Sequence, residues 1–385
     1  MNMPTDDKNF RLLGGNSPGW RDRLSRFPTS LLILLGMLIL GGFVVLYSAV
    51  GGGENIDYVW RQAARAAFGL TLLLTISMAG SEKIYRRYAY LFYGLSLLLL
   101  IGVFLSGTIG MGARRWLEIG VLNLQPSELM KVALVLALAR YFHDRSVSSG
   151  ISIADLFIPL LMIALPTILI VKQPDLGTSI LLSAVGMAVI VAAGLEWKIF
   201  IAVITLLGAS MPMGWNMMHD YQRRRILTLF SPEKDPLGAG YHIIQSKIAI
   251  GSGGIFGKGF MAGSQSQLNF LPERHTDFIF SVLAEEWGFV GGLLLLITYC
   301  MIILRTLIIA STASDRFGLL SVVGLTALFA FQVLVNMGMV IGLLPVVGIP
   351  LPMISYGGSS MLTLMMAMGL IAHVSIHSKQ HGRTI

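Results

Sequence analysis

Residues 30–49 read SLLILLGMLILGGFVVLYSA, an uncharged run whose polar groups are confined to Ser30, Tyr47 and Ser48. A helix rises about 1.5 Å per residue, so such a run is long enough to cross the roughly 30 Å hydrocarbon core of a bilayer. Residues 1–27 before it are polar and basic, and no small-residue cleavage site follows a short apolar core. The stretch therefore reads as an uncleaved first span, not a signal peptide. Runs of the same kind recur along the chain, with spans expected at 29–49, 60–80, 88–107, 127–144, 153–171, 176–195, 198–216, 278–304, 317–343 and 358–378. Composition agrees: 55% of residues are hydrophobic and 12% charged, with a mean hydropathy of +0.74. A soluble domain carries about twice that charge. The expected fold is an all-α polytopic membrane protein of about ten transmembrane helices, with one large loop, 216–277, between spans seven and eight. The expected division is a tail over 1–27, one transmembrane domain over 28–378 that includes the loop, and a second tail over 379–385.

Fifteen Lys and Arg residues fall on the side of the N-terminus. The other side has six outside the long loop: Arg61, Arg65, Arg114, Arg115, Lys131 and Lys172. Short loops rich in Lys and Arg stay in the cytoplasm, so both termini are expected there and loop 216–277 outside. This sorting explains the net charge of +8 without nucleic acid, and membrane lipids are the expected surroundings. The single cysteine, Cys300, excludes a disulfide framework or a cysteine-based metal site within the chain.

Polar residues converge at the outer side in four places. GARRW at 112–116 precedes QPSELMK at 125–131, where Pro126 suits a first helical turn and Glu128 and Lys131 share a face at i, i+3. They read either as a local ion pair at a helix start or as a pair lining a polar cavity, since an intramembrane charge seeks water or a partner. QPDLGTS at 173–179 is turn chemistry in which Asp175 caps a helix. In the long loop, Arg223, Arg224 and Arg225 suit phosphate or anionic lipid. His242–Ile250 reads as a short interfacial helix with Gln245, Ser246 and Lys247 on its wetter side. The glycine-rich 251–259 resembles a nucleotide loop and fails the pattern, because Ser252 replaces the first glycine and Gly259 the Ser/Thr after Lys258. It reads instead as a flexible turn of close-packed backbone. Asp277 closes the loop beside Glu273, Arg274, His275 and Thr276; it is either a helix cap or a reactive carboxylate. Glu285 and Glu286 are expected to pair with basic or backbone groups inside the bundle. Lastly, three prolines and three glycines break the chain over 344–360, and irregular backbone at membrane depth must be buried in protein or line a cavity. His373, His377 and His381 repeat at i+4 on the opposite side and read as a polar helix face, not a metal site.

Those motifs resemble the SEDS family (shape, elongation, division, sporulation) of bacterial peptidoglycan polymerases, from about Arg26 to Val374. The carriers are GARRW at 112–116, QPSELMK at 125–131, QPDLGTS at 173–179, GAGYHIIQSKIAIGSGG at 238–254, FLPERHTDFIF at 270–280 and GLLPVVGIPLPMISYGGSS at 342–360. The wording at 265–280 and 348–352 is similar to the elongation branch of the family rather than the division branch. The resemblance implies a multi-pass inner-membrane glycosyltransferase with its active site on the periplasmic side. It implies lipid II, an undecaprenyl-diphosphate-linked disaccharide pentapeptide, as substrate, and a class B penicillin-binding protein, a transpeptidase, as partner. It places the catalytic residue at Asp277, with Glu128 and Lys131 lining the same cavity.

A sugar hydroxyl attacking an anomeric carbon needs a base, and a single carboxylate supplies it. A diphosphate leaves readily once its charge is neutralised, so one acid among excess cations is expected in place of the paired carboxylates of glycosidases. Asp277 is assigned as base and the outcome as inversion to a β-1,4 bond. Arg225 and Lys131, with Arg115 or Lys258, are expected on the diphosphate, with or without a divalent cation (magnesium or manganese) and with no organic cofactor. Trp116, Glu128, Asp175, Gln222, His275, Thr276 and Ser355 complete the expected binding set. Two rival readings stand beside this one: a lipid II flippase or transporter, which would carry polar groups through to the cytoplasmic half, and a scaffold that only localises the transpeptidase.

Overall fold

The computed structural model of the chain describes residues 20–79, 82–106, 108–110, 113–119, 122–145, 154–218, 220–235, 238–268, 270–271 and 273–378. The tail calls at 1–19 and 379–385, and His381 with them, lie outside the described residues. A short α1 (Trp20–Ser25) leads into α2 (Thr29–Ala49), α3 (Ile56–Met78), α4 (Glu82–Ser106), α5 (Pro126–Asp144), α6 (Phe157–Lys172), α7 (Leu176–Ala192) and α8 (Trp197–Met217). The long loop holds α9 (Asp220–Phe230), α10 (Ala239–Gly253) and α11 (Ser264–Gln267). Then come α12 (Ile279–Ser311), α13 (Arg316–Val340) and α14 (Gly358–His377). Every segment expected as a span is helical. By length and composition, five helices among the described residues are apolar enough to cross a membrane (α2, α4, α12, α13 and α14), and α6 and α7 are shorter apolar helices. The second expected span, 60–80, starts four residues earlier, at Ile56, and Arg61 and Arg65 lie inside α3.

Alternating apolar faces explain the packing. α5 is buried along almost its whole length and forms the centre, as expected of a helix that is apolar on all sides. Around it lie α4, α7 and α13; α3 packs on α14, and α2 and α13 on α12. Most described side chains of α8 are exposed. Between α4 and α5 the chain makes a small antiparallel meander of β1 (Thr108–Gly110), β2 (Ala113–Ile119) and β3 (Leu122–Leu124), with Leu117 opposite Leu124.

The expected interfacial helix is longer and more deeply seated than 242–250. α10 packs on α12, and Ser246, assigned to the wet side, is fully buried, bonded to Ser281 Oγ at 2.9 Å and to the Val340 carbonyl at 2.6 Å. Lys247 alone of the three is exposed. Ser246 turns inward because a helix rotates about 100° per residue, which puts the inner face at Ile243, Ser246 and Ala249.

α12 is broken, where the sequence suggests one continuous span. Gly288 has φ 64° and ψ −160°. The backbone groups released by the break are taken by the glycine-rich turn. Lys258 N donates to Glu285 O (3.0 Å) and Gly259 N to Glu286 O (3.0 Å), while Phe289 N donates to Gly254 O (2.9 Å) and Val290 N to Ile255 O (3.1 Å). A Cβ on Gly288 would sit 2.6 Å from Ile255 O. The turn is therefore close-packed backbone, as read from sequence, and Glu285 fastens it. That fully buried carboxylate meets Lys258 Nζ at 2.7 Å and the amides of Gln265 (3.0 Å) and Ser266 (3.2 Å). Glu286 accepts from Ser48 Oγ of α2.

Candidate active site

Where α5, α7, α12 and α14 begin, the bundle opens into a cavity of about 460 Å³. Its wall is built from the first turns of these helices, Arg225 of α9, His242 of α10, and the irregular backbone at 346–350 and 356–360. The helix-breaking segment thus does line a cavity. Asp277 lies on the wall, half-buried, in a turn just ahead of α12. One carboxylate oxygen is 3.3 Å from where a Cβ on Gly348 would stand, and Gly348 has φ 72°. A side chain at position 348 would both strain the backbone and crowd that carboxylate.

Three consecutive carbonyls in this turn are held by donors from α13 and the 355–356 backbone. His275 O accepts from Tyr356 N (2.9 Å), Thr276 O from Ser355 Oγ (2.6 Å) and Asp277 O from Asn336 Nδ2 (2.8 Å). Ser355 Oγ also accepts from Leu351 N at 2.8 Å. Thr276 Oγ1 donates to Glu273 Oε2 at 2.8 Å.

In the same lining, Lys131 Nζ is 2.8 Å from Glu128 Oε1, with the two residues 1% and 5% exposed. Both readings of this pair hold: it is a local i, i+3 ion pair, and it lines the cavity. Glu128 Oε2 is buried without a protein partner among the described residues. Asp175 likewise does both things expected of it. It caps α7 through Thr178 N (3.2 Å) and Thr178 Oγ1 (2.9 Å), and it lines the wall.

The three arginines point three ways, as successive positions on a helix must. Arg223 donates to the Trp215 (2.9 Å) and Asn216 (2.8 Å) carbonyls and caps the end of α8. Arg224 is exposed, and Arg225 reaches the cavity.

Of the expected set, the structure gathers Trp116, Glu128, Lys131, Asp175, Arg225, Thr276 and Asp277 on one wall. Four others stand elsewhere. Lys258 is committed to Glu285, because a fully buried carboxylate must have a cation, and its ammonium also donates to Ser264 Oγ (2.9 Å). His275 turns away to pack edge-on against Tyr58, with centroids 5.3 Å apart. Burial pushes its imidazole pKa below the ordinary 6.5, with Arg274 lowering it further and Glu273 opposing. Ser355 holds backbone, and Gln222 is buried off the lining. The side chain of Arg115 lies outside the described residues.

Sequence reasoning missed His242 and Asn336 as site residues and named Glu273 only as a neighbour of Asp277. His242 lines the cavity with Nδ1 buried and unpartnered among the described residues. Burial lowers its pKa against the opposing charges of Glu273 and Asp235. Asn336 had a visible signal: an amide inside a long apolar helix needs a partner within the bundle. The expected excess of cations is not found. The described lining holds Glu128, Asp175, Glu273 and Asp277 against Lys131 and Arg225. No group of three or more His, Cys, Asp or Glu side chains able to share a metal ion is present among the described residues.

The chain is similar to known proteins in both sequence and fold. Residues 23–380 match the FtsW, RodA and SpoVE family model, described as cell cycle protein. The chain is 45% identical to the peptidoglycan glycosyltransferase MrdB of Escherichia coli K12 over 371 residues, which is 96% of this chain and 99% of that protein. A chain of a solved peptidoglycan synthase complex, in which polymerization and crosslinking are coordinated, superposes with a TM-score of 0.79. It is 35% identical and covers 92% of this chain and 99% of its own length. The crystal structure of the rod shape determining protein RodA of Thermus thermophilus superposes with a TM-score of 0.70 at 31% identity, over 92% of this chain and 98% of its own.

Proposed function

The chain belongs to the FtsW, RodA and SpoVE family and is a peptidoglycan glycosyltransferase, and from that premise we propose that it polymerises lipid II, with Asp277 as the general base. The observation that carries the reading is the placement of Asp277 on an open polar cavity at the end of an otherwise apolar bundle, in a lining it shares with the buried Glu128–Lys131 pair.

In the proposed step the acceptor sugar 4-hydroxyl attacks the anomeric carbon of the donor. Its proton passes to the Asp277 carboxylate, the new β-1,4 bond forms with inversion, and the C–O bond to the lipid diphosphate breaks. The departing diphosphate takes the electron pair and is met by Lys131 and Arg225. Carboxylates outnumber cations on the wall, so a divalent cation, magnesium or manganese, would travel with the diphosphate itself. Magnesium keeps most of its shell as water and phosphate oxygen and asks for one or two carboxylates from the protein. The unpartnered Glu128 Oε2 is a fitting acceptor for it.

The proposal places both termini in the cytoplasm, ten helices across the inner membrane and the cavity at the periplasmic face. Its partner would be a class B penicillin-binding protein, a reading supported by the synthase complex whose chain this one superposes on.

The test is polymerisation of labelled lipid II by purified protein, alone and with its transpeptidase, in magnesium or manganese. Glycan ladders on a gel are expected from wild type, and none from Asp277→Asn at equal folded yield. A ladder from Asp277→Asn at near wild-type rate sinks the assignment of the base. Transbilayer movement of lipid II by wild type without polymer would support the flippase reading instead.

A further inference from the structure

Asn336 stands off the cavity, fully buried on α13, and reaches the lining through the backbone carbonyls of Asp277 and Ile349. Its amide nitrogen donates both protons: to Asp277 O at 2.8 Å and to Ile349 O at 2.7 Å. These two carbonyls belong to the two segments that meet at the carboxylate, the turn before α12 and the irregular stretch containing Gly348. The local amides around Asp277 go to neighbouring carbonyls: Glu273 O accepts from Thr276 N and Phe278 N, each at 3.2 Å, and Phe278 O from Ser281 N at 3.0 Å. A carbonyl left outside the helical ladder needs a donor from elsewhere, and an amide with two protons can tie two strands of backbone where a hydroxyl ties one.

We infer that Asn336 is a positioning residue for glycosyl transfer: it clamps the Asp277 backbone to Ile349 and so fixes the carboxylate against Gly348 at the cavity wall. The inference rests on the reading of Asp277 as general base. Ser355, which donates to Thr276 O at 2.6 Å, is a second and weaker part of the same clamp.

The test compares full-length wild type, Asn336→Leu, Asn336→Asp and Ser355→Ala, each assayed with lipid II for kcat, KM and the pH dependence of kcat, with folded fraction from thermal melting. Asn336→Leu removes both donors at similar volume, and Asn336→Asp keeps the shape and replaces donors with acceptors. Both are expected to lose about a hundredfold in kcat, the scale of roughly 1 Å misplacement, with KM within about threefold of wild type. The acid limb of the pH–rate profile is expected to move, because a released carboxylate sits in a different environment. Ser355→Ala should show the same signature at smaller size, and it carries the test alone if the Asn336 variants do not fold. A kcat within threefold of wild type, or a loss that equals the fall in folded fraction with an unmoved acid limb, overturns the inference. Inactive Asp277→Asn beside active Asn336 variants overturns this inference alone, whereas active Asp277→Asn overturns the base and its positioning residue together.

Discussion

Lys131 carries its charge into a site 1% exposed, and Glu128 at 2.8 Å answers it. Removing one partner strands the other as a buried ion, which costs about 3–5 kcal/mol, whereas removing both leaves polar or apolar side chains that pack. Lys131→Met and Glu128→Gln should each lower the thermal stability of the purified protein by that order. The double variant should recover most of it and still make no glycan, which melting curves and the ladder assay check separately. Two half-buried imidazoles supply a second expectation. Burial holds His242 and His275 below their ordinary 6.5, so the unfolded chain takes up protons first as pH falls. Their contribution to stability is complete above pH 6.5 and is lost as pH drops below it toward the depressed folded-state values. In His275→Phe, which keeps an aromatic ring against Tyr58, the melting temperature should fall less between pH 6.5 and about 5 than in wild type.

At the scale of elements, Gly288 decides the shape of α12. Its φ of 64° is a left-handed value, and a Cβ there would stand 2.6 Å from Ile255 O. Gly288→Ala should cost about 1–3 kcal/mol from the dihedral alone, with displacement of the turn at 254–259 added, read as a drop in melting temperature and faster proteolysis of that turn. This break is also where legibility in the sequence ends. The ten long helices can be read because each is a run of apolar residues with charges only near its ends. A backbone interruption inside 279–311 leaves no mark on such a run, because hydropathy does not report φ. The meander at 108–124 is hidden for a different reason: β1 and β3 are only three residues each, and the seven of β2, ARRWLEI, do not alternate. Within the site, Asp277, Glu128 and Lys131 are legible as charges at helix starts. Lys258 is misplaced because its true partner, Glu285, was read as a bundle residue and never matched to it. The clamp on Asp277 is out of reach altogether, since it joins backbone carbonyls to donors from α13 and the 351–356 stretch.

Across the whole molecule the polar cavity is confined to the end where α5, α7, α12 and α14 begin. At the other end the described polar side chains tie helices together instead of opening a space: Arg86 of α4 meets Asp315 at 3.4 Å, and His143 of α5 accepts from Phe317 N at 3.2 Å. Such asymmetry suits chemistry at one face of a membrane better than passage through it. The proposed orientation can be tested on a Cys300→Ser background, which removes the single cysteine. In intact spheroplasts an impermeant maleimide should label a cysteine placed at Leu268 and spare one placed at Ser148; the reverse pattern would invert the assignment. The spliced break in α12 is also self-contained. All four amide–carbonyl pairs that repair it join residues 254–259 to 285–290. Both halves precede α13 and α14 in the chain. The splice therefore needs no residue of the last two spans to close, and the bend in α12 is set by chain that precedes them.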